Sequence, residues 1–529
     1  MGTTVDVVVI GAGVNGLVAA AELARAGRSV MLVDSKDRIG GFIESAERTI
    51  PGYVHDVYSS WHPLFVSSGG YAVLGEELRR HGLAYANAED AVTASVSAGD
   101  RVAIAYRDPA RTAAALELPA DRDGYQRMLD DFGAYADTVF GALGAELRSR
   151  RILKLGWNLW RKNKFSGSER LVRDAAMSGR SYVRSRFDGW EVDQLWTPWL
   201  LHAGLGPDQA SGGIMFPVMA LTMHGFGLPV VVGGAGRFID AFSAVLADND
   251  VQLRLGHPVD QIVVDGGRAT GVRVGGETIT ARQAVLASVT PQALYGRLLP
   301  ADAVRPSVLV EVTRYRYGRG AMQIHLALDR PVSWSDDRLD SIPLVHVTNG
   351  SSSTGVACAQ AEAGLLPSEP TVVVGQQSVL DPSRVPPGAG SLWLQLQEVP
   401  YAPCGDSAGK LTTGNGWSED LKKGYLDRVI ARVGQFAPSL ESSILAADVI
   451  SPADLERENP NAVHGDPYSG SAELDQNLLW RPVPSAARHR TDIPGLWHIG
   501  ASTHPGPGLG AGSGHLVAQQ LLGRRANSR

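Results

Sequence analysis

Three glycines near the start of the chain have the spacing with which a protein backbone binds phosphate groups. The segment GAGVNG places Gly11, Gly13 and Gly16 in a GxGxxG pattern. The first glycine allows a tight turn, the second leaves room for a pyrophosphate, and the third lets a helix pack closely on a strand. Further along, the carboxylate of Asp34 can accept hydrogen bonds from both ribose hydroxyls, and it disfavours a 2′-phosphate. The pattern predicts a dinucleotide site at which NADP is a poor ligand.

The elements that must position these residues form a complete βαβ unit. VDVVVI (Val5–Ile10) is typical of a buried strand, LVAAAELARAG of a helix that stops at Gly27, and SVMLVD (Ser29–Asp34) of a second buried strand. The helix N-terminus offers unpaired N–H groups and the positive end of its dipole to the phosphates. The residues expected to bind the dinucleotide here are Gly11, Ala12, Gly13, Val14, Asn15, Gly16, Asp34, Ser35 and Lys36.

Two more glycine-rich stretches call for a ligand close to the backbone. A doublet, Gly40 and Gly41, follows the acidic strand and lets the chain turn back along a dinucleotide. GASTHPGPGLGAGSG (Gly500–Gly514) follows the expected strand LWHI (Leu496–Ile499) and precedes a helix expected to start near Ser513. Such backbone freedom is kept where a ligand or another backbone comes very close.

Together these segments resemble those of phytoene desaturases and their relatives, among the two-dinucleotide-binding flavoproteins. VVVGGAGRFIDAFSAVL (Val230–Leu246) is similar to the Gly-Gly-x-Gly entry into a helix in that family. SPADLERENPNAVHGDPY and WRPVP are most similar to a subgroup with carotenoid ketolases and pyridine-nucleotide-disulfide-like proteins. The resemblance implies FAD, with the C-terminal helix directed at the flavin. The FAD is expected to be non-covalent, because no His or Cys is placed so clearly near the flavin that a covalent bond is predicted. The further cofactor-binding residues that it implies are Gly40, Gly41, Val259, Gly500, Pro507, Gly508 and Leu509.

One residue departs from the pattern of the amine-oxidase relatives. In those proteins an Arg usually follows the glycine doublet, whereas this chain has Phe42. The departure argues against the amine-oxidase branch.

The predicted fold class is α/β, with a Rossmann-type FAD-binding domain of the two-dinucleotide-binding flavoprotein type. The FAD-binding domain is expected to be discontinuous, from residues 1–85, 225–300 and 480–529. Residues 86–224 and 301–479 are expected to form an inserted substrate domain, a mixed sheet covered by helices. Residues 120–205 are expected to be mainly helical, and residues 301–400 to be strands and loops.

Candidate catalytic residues follow the glycine doublet and lie in the C-terminal stretch. HDVYSSWHPLF should pass near the flavin, so His55, Asp56, Trp61 and His62 could line the active site. His504 belongs to the glycine-rich stretch. For all five, packing is the alternative interpretation. His202 and His224 are assigned to packing, and no Ser-His-Asp set or metal-ligand spacing is found, so no metal site is expected.

The composition restricts the functional class and the surroundings of the protein. The chain has 529 residues and a net charge of −6, which gives no indication of nucleic-acid binding. With no signal-peptide pattern and no continuous apolar run long enough to span a bilayer, a cytoplasmic location is expected. Two cysteines, Cys358 and Cys404, form no disulfide framework, and whether they pair with each other stays open.

A basic, tryptophan-bearing segment, RSRRILKLGWNLWRKNKF (148–165), has two interpretations. Trp157 and Trp160 would share one helix face, among seven basic residues and no acidic one. The segment could lie on an anionic membrane surface as a peripheral contact, or it could be a solvated helix with its tryptophans packed inside. The seven basic residues are Arg148, Arg150, Arg151, Lys154, Arg161, Lys162 and Lys164.

The leading functional hypothesis is an FAD-dependent oxidoreductase acting on a large apolar substrate, a polyene or another lipid-like compound. A hydride would pass from a substrate carbon to flavin N5. Oxygen or a quinone is the expected electron acceptor, because no second nucleotide-binding motif is recognised. The alternatives are a redox-neutral flavin-dependent C=C isomerase, an FAD amine oxidase, and a flavin-binding assembly protein without turnover.

Overall fold

Two seven-stranded sheets organise the molecule. In a computed structural model of the chain, residues 3–414 and 416–523 are described, apart from the side chains of residue 159 and residues 162–168. The first sheet takes its strands from both ends of the chain and from a central segment, and the second takes its strands from the remainder. This architecture confirms the predicted α/β fold, in which a Rossmann-type sheet is combined with a second, mixed sheet.

The first sheet contains the predicted βαβ unit. Its central strand Thr4–Ile10 runs parallel to Val30–Val33 on one side and to Glu277–Ser288 on the other. The side chains of Val5, Val7, Val8 and Val9 are fully buried, as expected for a strand covered on both faces. The strands, in spatial order, are Gln261–Asp265, Arg268–Val274, Glu277–Ser288, Thr4–Ile10, Val30–Val33 and Gln252–Arg254, and Leu496–Ile499 pairs in parallel with Glu277–Ser288.

The second sheet is largely antiparallel, and its two faces differ. On the strand Gly390–Val399, Leu392, Leu394 and Leu396 pack into a hydrophobic core with the helix Glu419–Gly434, while the alternate side chains point to the opposite face. The strands, in spatial order, are Ile444–Ile450, Gly320–Leu328, Gly390–Val399, Val372–Gly375, Leu344–Val347, Ala91–Ser97 and Arg101–Tyr106. Only the pair formed by Leu344–Val347 and Ala91–Ser97 is parallel among the described strands of this sheet.

Helices cover both sheets, and the described part of the chain also contains three short two-stranded pairs. The helices of seven or more residues are Val14–Arg25, Gly69–Arg80, Pro119–Leu143, Arg150–Ala176, Glu191–Leu201, Gly212–Phe226, Gly236–Asp248, Pro306–Thr313, Ser351–Glu362, Glu419–Gly434, Pro452–Glu458 and Gly512–Leu521. The short pairs join Ser45–Ala46 to His55–Asp56, Tyr85–Ala86 to Val230–Val231, and Leu365–Leu366 to Gly405–Asp406. Each helix in the described part of the chain is too short or too polar to span a bilayer.

Two helices correct the expectation of strands and loops between residues 301 and 400. SVLVEVT, which lies within this region, belongs to the helix Pro306–Thr313. Proline at the first helical position is preorganised for a helix, and Val308 and Val312, four residues apart, are buried on one face. Ser351–Glu362 is also helical. The prediction that residues 120–205 are mainly helical is confirmed.

The two sheets take their strands from separate parts of the chain, and the predicted domain boundaries remain a prediction. Strands of the first sheet lie within residues 4–33, 252–288 and 496–499, whereas strands of the second lie within residues 91–106 and 320–450.

The two cysteines do not pair with each other. Cys358 is buried and Cys404 is exposed, and both are free thiols.

A buried arginine joins three distant segments between the sheets. Arg384, whose side chain is 1% exposed, contacts the carboxylates of Asp56 at 2.7 Å and Asp381 at 3.1 Å. It also donates a hydrogen bond to the carbonyl of Val231. The same carboxylate of Asp56 accepts a hydrogen bond from the backbone N–H of Ala235 at 2.7 Å. This network fixes the segment that follows the glycine doublet against the turn before the helix Gly236–Asp248.

We expect Arg384→Met to lower the free energy of unfolding by about 3–5 kcal/mol, because two buried carboxylates lose their cation. The matched control is Arg330→Met, which removes an exposed ion pair with Asp329 and should cost about 0–1 kcal/mol. Denaturant unfolding of both variants measures the difference. Equal stability losses would show that the Arg384 network does not hold these segments.

Candidate functional site

A cavity of about 310 Å³ lies between the two sheets. Its first end is formed where parallel strands of the first sheet end, at Gly13, Ser288 and Gly500. Its other end is formed by the face of the second sheet that carries Trp393 and Gln395. Ligands of open α/β sheets bind outside the carboxyl ends of the strands, so this is the expected position for a cofactor.

The three glycines of the GxGxxG pattern differ in the space around them. Gly11 has a φ of 96°, and a Cβ there would lie 2.9 Å from the carbonyl oxygen of Ser288. A Cβ on Gly16 would overlap the carbonyl oxygen of Gly11, so the helix packs closely on the turn. At Gly13, by contrast, an added Cβ would meet no described atom within 4 Å. The open space beside Gly13 is the space that a pyrophosphate would occupy.

The carboxylate of Asp34 is fixed beside this turn. It accepts hydrogen bonds from the backbone N–H of Ala12 at 2.6 Å and of Lys36 at 2.8 Å. The N–H of His257 donates to the carbonyl of Asp34, which brings the segment before Val259 alongside the acidic strand. Asp34, Ser35, Lys36 and Val259 lie outside the lining of the cavity. Their expected contacts with the adenosine part of a dinucleotide remain a prediction.

The glycine doublet lies against the same turn. The N–H of Gly40 donates to the carbonyl of Ala12 at 2.8 Å, and a Cβ on Gly41 would lie 3.2 Å from the Cα of Gly13. Gly40 and Gly41 have φ values of 116° and 60°, which favour glycine. Both line the cavity, together with Phe42.

The two ends of the chain meet at this cavity through a serine and an asparagine. The hydroxyl of Ser513 accepts from the N–H of Gly500 at 2.8 Å and donates to the amide oxygen of Asn15 at 2.8 Å. A Cβ on Gly514 would overlap the carbonyl oxygen of Asn15. The N-termini of the helices Val14–Arg25 and Gly512–Leu521 therefore converge, and their dipoles favour negative charge at one place.

Eight of the other twelve predicted cofactor-binding residues line the cavity. The lining includes Gly13, Val14, Asn15, Gly40, Gly41, Gly500, Gly508 and Leu509. It does not include Gly11, Ala12, Gly16 or Pro507. The first three of these form the turn behind Gly13. The open space at Gly13 and the convergent helix N-termini fit the pyrophosphate and flavin of FAD.

Among the five catalytic candidates, Trp61 lines the cavity and the other four do not. Asp56 belongs to the Arg384 network. His62 is fully buried and hydrogen-bonds the hydroxyl of Tyr85 at 3.0 Å. These contacts are those of residues that hold the segment in place, and a chemical role for Asp56 and His62 is still only predicted.

The remaining two candidates are also engaged with the protein. The Nε2 of His55 lies 2.8 Å from the hydroxyl of Thr49, and the Nε2 of His504 donates to the carbonyl of Ala142 at 3.0 Å. Burial lowers the pKa of His55 to about 3 and that of His504 to about 4, so both imidazoles are neutral at neutral pH. Their participation in chemistry also remains a prediction.

Sequence analysis missed the wall that the second sheet contributes. On the strand Gly390–Val399, Trp393, Gln395 and Gln397 face the cavity. The helix Glu191–Leu201 and the residue after it add Trp199 and His202, so His202, which was assigned to packing, lines the cavity. The sequence signal for this wall was SLWLQLQEV, in which leucines alternate with the uncharged side chains of Trp393 and Gln395. None of the described lining residues is Asp, Glu, Lys or Arg.

The basic segment is a helix with exposed tryptophans. Within Arg150–Ala176, Trp157 is 60% exposed and Trp160 is 49% exposed, with ring centroids 5.0 Å apart. The interpretation that these tryptophans pack inside the protein is therefore wrong. The side chains of Lys162, Lys164 and Phe165 lie outside the described residues.

Known proteins resemble this chain over almost its whole length. A model of the family of flavin containing amine oxidoreductases matches residues 15–521. The pyridine nucleotide-disulfide oxidoreductase domain-containing protein 2 of Mus musculus is 26% identical over 566 residues, covering 98% of this chain and 94% of the mouse protein. The neurosporene-forming phytoene desaturase of Rhodobacter capsulatus is 24% identical, covering 97% and 93% of the two chains.

A solved structure shares the fold. An oxidoreductase from Methanosarcina mazei matches with a TM-score of 0.61 at 15% identity, covering 98% of this chain and 100% of the other. The predicted resemblance to phytoene desaturases is confirmed, whereas the argument from Phe42 against the amine-oxidase branch stays a prediction. The chain belongs to the family of flavin containing amine oxidoreductases, and it is a flavin-dependent oxidoreductase.

Proposed function

We propose that this protein binds FAD without a covalent bond and oxidises a large apolar substrate, a polyene or another lipid-like compound. The observation that carries the proposal is the composition of the cavity. Glycine backbone and two helix N-termini lie at one end, and an aromatic, uncharged wall lies at the other. The first end suits a dinucleotide, and the second suits a neutral organic molecule.

The chain's own residues bind and orient the reactants. The backbone at Gly13 leaves room for the pyrophosphate, while the helix that starts at Gly512 stabilises negative charge near Gly500. When bound, FAD would supply the redox chemistry by accepting a hydride at N5. Trp61, Trp199 and Trp393 would hold the apolar body of the substrate and exclude water. We propose oxygen or a quinone as the final electron acceptor.

The uncharged lining favours this substrate class over a protonated amine. A buried ammonium group needs a paired carboxylate, and the described lining offers none. Among the relatives, the name of the Rhodobacter protein refers to a polyene, neurosporene. The family name, however, keeps an amine oxidase as the second candidate. Two further alternatives are a redox-neutral C=C isomerase and a flavin-binding assembly protein. Product mass distinguishes the isomerase from an oxidoreductase, and flavin bleaching distinguishes the assembly protein.

We further propose that the protein takes its substrate from an anionic membrane. Leu153, Trp157 and Trp160 are exposed on a helix that also carries basic residues. The guanidinium of Arg148 donates to the carbonyl of Leu479, which places the exposed segment Leu478–Trp480 beside the start of this helix. Exposed aromatic and aliphatic side chains among cations match an anionic bilayer surface.

Purified protein should be yellow and should release FAD on denaturation. We expect Gly13→Val to abolish flavin binding while the protein still folds, because the new side chain would enter the empty space of the pyrophosphate. Gly133→Val is the matched control, since a Cβ at Gly133 also meets no described atom within 4 Å, but Gly133 lies at an exposed position of the helix Pro119–Leu143, outside the cavity lining. Asp34→Ala should weaken FAD binding by about tenfold or more, through lost hydrogen bonds to a charged group. Full flavin occupancy in Gly13→Val would place the phosphates elsewhere.

Anaerobic mixing with candidate substrates tests the substrate class. Phytoene supplied in liposomes should bleach the flavin absorbance, and putrescine should not, because the described cavity lining has no carboxylate for an ammonium group. The product should lack a pair of hydrogens. Bleaching by putrescine alone would favour the amine oxidase. An unchanged product mass would favour the isomerase, and no bleaching by any compound would favour an assembly role.

Liposome co-sedimentation tests the membrane contact. We expect the double variant Lys154→Glu and Arg161→Glu to lose binding to anionic liposomes, since each cation near the surface contributes about 1 kcal/mol. The charge-matched control is the double variant Lys410→Glu and Lys423→Glu, which changes exposed lysines elsewhere and should bind as the wild type does. If the wild type shows no salt-sensitive binding, or if both double variants lose it equally, the membrane proposal is wrong.

A further inference from the structure

A row of three polar side chains crosses the cavity face of the second sheet. His346 pairs in register with Val373, Val373 with Gln395, and Gln395 with Gln323. Side chains that are directly opposite on neighbouring strands project to the same face. We call His346, Gln395 and Gln323 the polar row. The residues that flank them along each strand point into the apolar core on the other face of the sheet. The polar row therefore lies on the face that is turned to the cavity.

His202 lies on one end of the polar row. Its Nε2 is 3.2 Å from the Nε2 of His346, and its ring packs on that of Trp199, with centroids 4.6 Å apart. Burial lowers the pKa of His202 to about 3 and lowers the pKa of His346 well below its ordinary value. Both imidazoles are therefore neutral at neutral pH, and one of them donates a single N–H to the other.

The surroundings of His346 decide which imidazole is the donor. His346 is fully buried, and its Nδ1 has no hydrogen-bond partner in the described part of the chain. If that Nδ1 carried the proton, it would be a buried N–H without an acceptor, which is costlier than a bare lone pair. The proton therefore lies on Nε2 of His346, which donates to Nε2 of His202. In a neutral imidazole this leaves the N–H of His202 on Nδ1.

Among the described polar groups of the wall, His202 and Gln395 are only partly buried, whereas the unpartnered indole N–H groups of Trp199 and Trp393 and the amide oxygen of Gln323 are fully buried. His202 lines the cavity, and its Nδ1 makes no hydrogen bond to any described residue. Gln395 is half-buried in the lining, and its side-chain amide makes no hydrogen bond within residues 3–414 and 416–523. The neighbouring Gln397, by contrast, already donates to the hydroxyl of Tyr468 at 2.8 Å.

We propose that the Nδ1–H of His202 and the amide of Gln395 bind an uncharged oxygen on the substrate, a carbonyl or a hydroxyl group. An apolar molecule that carries such an oxygen is therefore the preferred substrate, and a pure hydrocarbon such as phytoene should bind less tightly. His202 and Gln395 are specificity-determining residues, and His346 is a positioning residue that fixes the tautomer of His202. This inference rests on the proposed function, because it takes the cavity to be the substrate chamber.

A matched pair of probes tests the oxygen site. 4-Phenyl-2-butanone and its methylidene isostere, (3-methylbut-3-enyl)benzene, differ only in whether an oxygen or a CH₂ group stands at the site. We expect flavin-loaded wild-type protein to bind the ketone about tenfold more tightly by calorimetry. His202→Leu should bind both compounds equally, and His202→Asn, whose amide N–H can stand near the position of Nδ1, should restore the preference. Flavin content and Tm show that each variant is folded.

The tautomer is tested without any ligand. In protein with ¹⁵N-labelled histidine, long-range ¹H–¹⁵N spectra should show His202 protonated on Nδ1, and His346→Leu should abolish this bias. A flavin-loaded wild type that binds the two probes equally, or binds neither, would overturn the inference while leaving the proposed function intact. His202 protonated on Nε2 would also overturn it. A protein that does not bind flavin would instead contradict the proposed function.

Discussion

The convergence of two helix N-termini at Asn15 and Gly514 is the constraint on which the site depends. The carbonyl of Asn15 lies where a Cβ on Gly514 would stand, and the hydroxyl of Ser513 bridges Asn15 to Gly500. This approach brings the first and last elements of the chain to the same edge of the first sheet. Two helix dipoles then favour negative charge at one place, which a single GxGxxG turn could not achieve alone. The glycines are required because no other residue allows the backbones to come so close.

The cofactor end of the site could be predicted from the sequence because its geometry is local. Gly11, Gly13 and Gly16 lie between a buried strand and a helix, and the roles of all three follow from that short segment. The glycine doublet and the C-terminal stretch could be placed by resemblance to a family. The strand content of residues 301–400 was only partly predictable, since Pro306 starts a helix in a run of β-branched residues that otherwise favours a strand.

The end of the cavity at the second sheet could not be predicted, because register and distant partners create it. Gln323, His346 and Gln395 meet only when four strands pair in one particular order. Likewise, no local pattern connects Asp56, a candidate catalytic residue, to Arg384, which binds it from the opposite half of the chain. Cross-strand register and buried ion pairs between remote segments leave no local periodic signal. The sequence did contain leucines that alternate with uncharged side chains in SLWLQLQEV, but only the structure shows that these side chains line a cavity.

A crystal structure of the purified, flavin-loaded protein tests the central claim most directly. The account predicts one FAD, with its pyrophosphate against the backbone of Gly13 and its isoalloxazine ring between Gly500 and the wall that carries Gln395. The adenine should lie on the side of Asp34. Density for FAD in another cavity, or an isoalloxazine ring turned away from the second sheet, would contradict the account.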